Sequence, residues 1–375
     1  MLVLQSFPTG RSTTNPYLVQ LADQLAPDPQ VLGFSWRRAL AEPYDVFHAH
    51  WPEALLHGST ATRSLVRRLL FRALLVRLWL RRNRTAVVRT VHNVRSHEDG
   101  NRAERALLAR FDRRTTLWIR LNPTTEVPAG SPVRTIVHGD YRSWFQSTPV
   151  ERAVPGRVVY FGLIRPYKGV PDLIETFSAL PAGPEGDALS LRVIGRPTTA
   201  DIGAEVLLAA LADDRVSVSL GHASDTELAR DVTQAELVAL PYREMHNSGA
   251  AMLALSLGRP ILVPSNPVTE ALKVEVGRGW VFTYRGVLTA ALLGGALARC
   301  RVEHPAGSTA RPDLSARAWS VIADQHREAY AAALSLLRGN ADRSGRVAEQ
   351  PVVGGETAID GRQILEHSEL RTVRP

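Results

Sequence analysis

The sequence predicts an α/β chain: two doubly wound, Rossmann-like domains facing a central cleft. Three observations predict it. Short runs rich in Val, Ile and aromatics alternate with longer segments of helical period. The alternation breaks at Pro149, Pro155 and Gly156 and then restarts. Polar and Gly-rich residues gather just after the apolar runs, where open parallel sheets bind ligands.

In chain order, the first domain (1–150) has strands predicted at Leu2–Gln5, Val31–Phe34, Asp45–Ala49, Ala86–Val91, Leu117–Leu121 and Thr135–His138. They are short and apolar because a parallel strand is covered on both faces. Helices are predicted at Tyr17–Leu25, Thr62–Arg82 and Arg102–Arg113. The second domain (151–337) restarts at Arg157–Phe161, with strands at Leu191–Ile194, Val216–Leu220, Leu237–Leu240, Pro260–Val263 and Trp280–Phe282. Its helices fall at Val170–Leu180, Ala204–Leu211, Asp225–Gln234 and Ser248–Leu257; Ser224 or Asp225 caps the third, with Glu227 in its first turn. A late helix, Trp319–Leu337, is expected to pack back on the first domain, and 338–375 to form a flexible tail.

The 375 residues, 45% hydrophobic, suffice for two cores. One cysteine, Cys300, excludes a disulfide framework and a multi-cysteine zinc site and points to a reducing compartment. Neither a signal peptide nor a membrane span is predicted. Residues 1–150 carry 21 Arg, no Lys and 11 carboxylates, a net +10, whereas the remainder carries −2. The basic half therefore expects an anionic partner: a membrane surface, a phosphorylated acceptor or nucleic acid.

Reading the strand ends locates the chemistry. Phe161-Gly-Leu-Ile-Arg-Pro-Tyr-Lys-Gly169 ends a strand at Gly162, supplies Arg165 and Lys168, and opens a helix; two cations at a helix start suit a diphosphate. Gly195 follows the next strand, and Tyr242 the strand at Leu237–Leu240. Ser248 and Gly249 then start an Ala-rich helix whose backbone N–H groups would point at an anion. The competing readings are a solvated basic loop and a plain helix cap.

Together these segments resemble the C-terminal domain of GT-B-fold glycosyltransferases, especially family 4 and relatives acting on lipid-linked or polysaccharide acceptors. The resemblance rests on Phe161–Gly169, on Leu257-Gly-Arg-Pro-Ile-Leu-Val263, and on Glu270 as the acidic residue that follows. In the first half, Asp45-Val-Phe-His-Ala-His50, Thr90-Val-His-Asn93 and Val137-His-Gly-Asp140 resemble strand ends lining that cleft. The family's paired glutamates would align on Met245 and Leu253, so the retaining mechanism does not carry over. The resemblance then implies an inverting enzyme similar to the β-mannosyltransferases of polyprenyl-diphosphate glycolipids, with GDP-mannose as donor. It implies a hexosyltransferase of cell-envelope polysaccharide or glycolipid synthesis, at the inner face of the plasma membrane.

Inversion needs one general base from the first domain. Candidates are Glu53, Glu98, Asp99, Asp140, His50, His92 and His97, with Glu98 or Glu53 favoured. His92, in the family-like Thr-Val-His-Asn, is expected to contact the donor sugar or a phosphate oxygen. Gly162, Arg165, Lys168, Gly195, Tyr242, Ser248, Gly249 and Glu270 are the expected donor-binding set. No cofactor is expected, and the absence of Asp-x-Asp predicts a metal-independent reaction.

Arg63–Arg84 sets eight Arg among eleven Leu, Val, Phe and Trp. Leu65, Leu69, Val76 and Leu80 fall within about 60° of one another on a helical wheel, but other apolar residues surround the wheel. The segment is expected to meet an anionic bilayer; the alternative is a half-buried helix with an Arg-rich outer face. Other readings of the chain are a nucleotide-sugar epimerase of the same fold, an inactive scaffold, and a nucleic-acid-binding protein, for which no motif is present.

Overall fold

The computed structural model describes residues 1–8, 15–92, 101–181, 188–243, 245–305 and 308–348. In the first half, β1 (Leu2–Gln5), β2 (Gln30–Leu32), β3 (Val46–Ala49), β4 (Ala86–Val91), β5 (Leu117–Arg120) and β6 (Val133–Thr135) form one sheet in the order β2-β1-β3-β4-β5-β6. In the second half, β7 (Arg157–Phe161), β8 (Ser190–Gly195), β9 (Val216–Leu220), β10 (Leu237–Ala239), β11 (Ile261–Pro264) and β12 (Val281–Tyr284) form another, ordered β12-β11-β10-β7-β8-β9. Every pairing is parallel. The predicted architecture is present.

The helices α1 (Pro16–Leu25), α2 (Trp36–Ala41), α3 (Ala61–Leu80) and α4 (Arg102–Arg114) serve the first sheet. The second is served by α5 (Val170–Ser178), α6 (Ala200–Ala210), α7 (Asp225–Thr233), α8 (Gly249–Ser256), α9 (Pro267–Glu275) and α10 (Ala290–Glu303). Ser224 caps α7 in a capping box with Glu227. Three helices escape the sequence reading: α2 is under two turns long, α9 begins inside a segment read as a strand-end loop, and the Ala/Gly/Leu-rich α10 shows little amphipathic period.

The last helix, α11 (Trp319–Ala348), lies on the first sheet beside α1. Ile322, Ala323, Ala329, Tyr330 and Ala333 are buried against Val3, Val46, Val88 and Ile119. The helix runs past Leu337, where the tail was expected to begin, to Ala348. Residues 338–348 contain no proline to stop it. The opposite face of the sheet is covered by α2, α3 and α4, whose core includes Phe47, Phe71, Leu74 and Phe111.

The Tyr330 hydroxyl meets His48 Nδ1 at 2.8 Å and accepts from the Gln5 amide at 3.4 Å in a fully buried setting. Tyr330→Phe strands both partners away from water, and a cost of about 1–3 kcal/mol is expected. Urea unfolding of the two proteins checks it; an unchanged free energy would remove this bond as an anchor of α11.

Candidate active site

Strand ends of the two sheets meet across a cleft, and one side chain ties them together. The Asn247 amide donates to the His92 carbonyl oxygen at 2.8 Å, and its oxygen accepts from the Asn122 amide at 2.7 Å. His92 follows β4, Asn122 follows β5, and Asn247 immediately precedes α8. Ser248 caps that helix, accepting from the Ala251 N–H at 3.2 Å. Asn122 and the linking role of Asn247 were missed in the sequence. The sequence signal for Asn122 is its place directly after the strand at Leu117–Leu121, where a parallel sheet binds ligands.

The second-domain residues expected to hold an anion gather here. Gly162 has φ +114°, and a Cβ on Gly195 would collide with the Gly162 carbonyl, so both strand ends need glycine to approach this closely. The Lys168 ammonium lies over the Tyr242 ring, 4.6 Å from its centroid, and 3.7 Å from where a Cβ on Gly162 would stand. Burial, reinforced by neighbouring Arg165, lowers the Lys168 pKa to about 8. Gly169, at φ +60°, packs on the Pro241 carbonyl and so holds the Lys168 loop against the end of β10. Glu270 sits in the first turn of α9 and accepts from the Ser265 hydroxyl at 2.7 Å, which lowers its pKa. Tyr141, from the segment joining the domains, places its hydroxyl 3.2 Å from where a Cβ on Gly249 would stand.

Behind His92 lies a buried group of histidines. Gln5 gives its N–H to Tyr330, so its oxygen accepts from His50 Nε2 at 3.2 Å. His50 Nδ1 must then accept from His92 Nε2–H at 3.0 Å. The chain Gln5–His50–His92 therefore fixes one tautomer and leaves the lone pair of His92 on Nδ1. Trp51 stacks on the His92 ring at 4.0 Å. Burial holds all five imidazoles of this side, His48, His50, His92, His138 and His326, below their ordinary pKa, with His92 near 3 and His138 and His326 near 4.

The carboxylates distribute differently. Glu53 sits in the short turn Pro52–Leu55 after β3, where its charge supports that of Arg89, which pairs with Asp112 of α4. Among the described residues no hydrogen bond joins its carboxylate to the histidines or to the Lys168 loop. Asp140 is buried, its carboxylate accepting from the Arg142 N–H at 3.0 Å. Glu98, Asp99 and His97 lie outside the described residues. Met245 and Leu253, where the paired glutamates would align, both pack in or against the second core.

No family model matches the chain. It is 44% identical over 333 residues to "GDP-mannose:glycolipid 4-beta-D-mannosyltransferase" of Xanthomonas campestris pv. campestris, covering 88% of this chain and 92% of that protein. Among solved structures it resembles Anabaena HepE in complex with UDP, at 15% identity, 92% and 100% coverage and a TM-score of 0.54. It also resembles sucrose-phosphate synthase from Thermosynechococcus elongatus, at 15% identity, 93% and 99% coverage and a TM-score of 0.50. These neighbours establish the GT-B fold.

The histidine group has a consequence for stability. Each imidazole takes a proton near pH 6.5 when unfolded but resists it when folded, so the unfolded state binds more protons below that pH. Stability present above pH 6.5 is therefore lost as pH falls toward 4, at up to about 1.4 kcal/mol per pH unit for each histidine. Urea midpoints should drop sharply between pH 7 and pH 5; a flat profile would contradict the neutral, buried group.

Proposed function

The chain belongs to the family of the GDP-mannose:glycolipid 4-beta-D-mannosyltransferases, and from that premise we propose that it moves mannose from GDP-mannose onto a sugar hydroxyl of a glycolipid. The observation that carries this is 44% identity over 88% of the chain to an enzyme of that name. It is a glycosyltransferase using a nucleotide-sugar donor and a glycolipid acceptor; the epimerase alternative finds no support among its relatives.

The site chemistry fits the reaction. Arg165, Lys168 and the start of α8 receive the diphosphate, and their charge stabilises it as it leaves, without calling on a resident metal. Gly162 and Gly195 let the phosphates approach the backbone. Glu270 takes a donor hydroxyl. GDP-mannose carries its sugar in the α configuration, so a β product requires inversion by a single displacement. His92, neutral and held as one tautomer, accepts a hydrogen bond from a hydroxyl through Nδ1; its low pKa suits an acceptor better than a base. We place the base at Glu98, six residues after His92, with Glu53 as the alternative, since its buried Oε2 has no hydrogen-bond partner among the described residues. The enzyme works at the cytoplasmic membrane surface, reached through α3; no helix among the described residues is long and apolar enough to cross a membrane.

A thermal-shift panel of GDP, UDP, ADP and dTDP with EDTA present tests the donor assignment. GDP alone should raise the melting temperature, since ligand at 100 times its dissociation constant adds about 2.7 kcal/mol. No shift with GDP would overturn it. GDP affinity should fall above pH 8 as Lys168 loses its proton, by up to about tenfold per pH unit, and Lys168→Ala should abolish this dependence. Glu98→Gln should lower kcat by about 100-fold or more with GDP binding retained; the same loss in Glu53→Gln instead would move the base.

A further inference from the structure

Helix α3 is apolar on two opposite sides. Phe71, Leu74 and Leu78 enter the core. At about 100° per residue, Leu65, Leu69, Val76 and Leu80 lie on the opposite side, and there none of the described residues buries them. They are 53%, 53%, 56% and 67% exposed, and neighbouring Trp79 is 57% exposed. An uncovered apolar stripe on a helix that already has a core face is unusual for a surface that meets only water.

Beside this stripe a groove of about 540 Å³ opens between α3 and α4. Leu75, Val76, Trp79 and Leu107 form its apolar walls, and Arg72, Arg110, Arg113 and Arg114 line it with charge. The nearby carboxylates are engaged elsewhere: Glu104 with Arg68 at 2.7 Å and Asp112 with Arg89. Arg114 is held by the Leu78 carbonyl at 3.0 Å. Among the described residues, Arg72, Arg110 and Arg113 have no carboxylate partner. Three unneutralised guanidinium groups around an apolar slot match a phosphate attached to a hydrocarbon chain.

We propose that this groove seats one anionic phospholipid of the bilayer, its phosphate among Arg72, Arg110 and Arg113 and an acyl chain along Leu75, Val76 and Trp79. The proposal rests on the membrane-surface reading above and deepens it, because two of the three arginines belong to α4 and lie outside the Arg63–Arg84 segment. A built site holds the enzyme in one orientation, which diffuse attraction to a charged surface does not.

Co-sedimentation with phosphatidylcholine vesicles, with and without phosphatidylglycerol, tests it. The wild-type protein should bind the anionic vesicles, and Arg110→Gln/Arg113→Gln should weaken this by about tenfold or more. The charge-matched control Arg37→Gln/Arg134→Gln should stay within about twofold of wild type, by the same surface-charge argument. Equal losses in the two double variants would overturn the site in favour of diffuse attraction. Undiminished binding by the groove variant would overturn the groove and leave the membrane reading standing; failure of the wild type to bind would overturn both. Response to polyprenyl diphosphate but not phosphatidylglycerol would overturn the choice of a bilayer lipid. Brominated acyl chains should quench wild-type fluorescence more than that of Trp79→Phe, and equal quenching would overturn the placement of the chain. A retained GDP-induced thermal shift in every variant shows that the fold and donor site are intact.

Discussion

An all-parallel sheet must be covered on both faces, and the first half of this chain brings enough helix for one face and part of the other. Helices α2, α3 and α4 close one side; on the other, α1 leaves Val88, Ile119 and their neighbours bare. The helix that covers them, α11, comes from the far end of the chain, after the whole second domain. The chain therefore crosses between the sheets twice. The crossings are pinned, by Tyr141 N–H to Ser256 Oγ at 2.8 Å on the way out and by the Arg317–Glu275 ion pair, with 2.6 and 2.7 Å contacts, on the way back. The two domains are fixed by the same packing that completes the first core.

That covering also sets the chemistry at the cleft. Tyr330 of α11 orients Gln5, Gln5 orients His50, and His50 orients His92. Without α11 these imidazoles would face water and titrate near pH 6.5, and neither tautomer would be imposed. With it, His92 is held buried and neutral, and its backbone carbonyl is bound by the loop that opens α8. Electrostatic complementarity is divided between the domains: neutral imidazoles on one side, Arg165 and Lys168 on the other.

Most of this frame was legible in the residues. Parallel strands announce themselves as short runs such as Ala86–Val91 and Arg157–Phe161 because burial on both faces removes any need for alternation. The loop from Gly162 to Gly169 was legible because its backbone shape demands glycine at both ends. The bridge made by Asn247 was not, since an asparagine in a loop looks the same whether it caps a turn or spans two domains. The surroundings of Glu53 were equally hidden: the residue after a strand end can turn to either face of the sheet, and only the fold sets it near Arg89 of β4, which pairs with Asp112 of α4. The missed helix α9 shows the limit of reading polarity as loop, for Asn266 is a helix cap that accepts from Val268 and Thr269.

The charge imbalance of the first half acquires a physical meaning from the same covering. A basic composition alone is compatible with nucleic acid, phosphate or membrane. What separates them is where the charge lies and what lies between. Several arginines are spent internally, Arg68 on Glu104, Arg89 on Asp112 and Arg114 on backbone carbonyls. Three others, Arg72, Arg110 and Arg113, flank an apolar slot beside the exposed leucine stripe. A nucleic-acid surface has no use for Leu65, Leu69 and Leu80 in water, and a free phosphate has none for Val76 and Trp79. A ligand that is anionic at one end and hydrocarbon at the other, as proposed for the α3–α4 groove, would satisfy both halves of the surface.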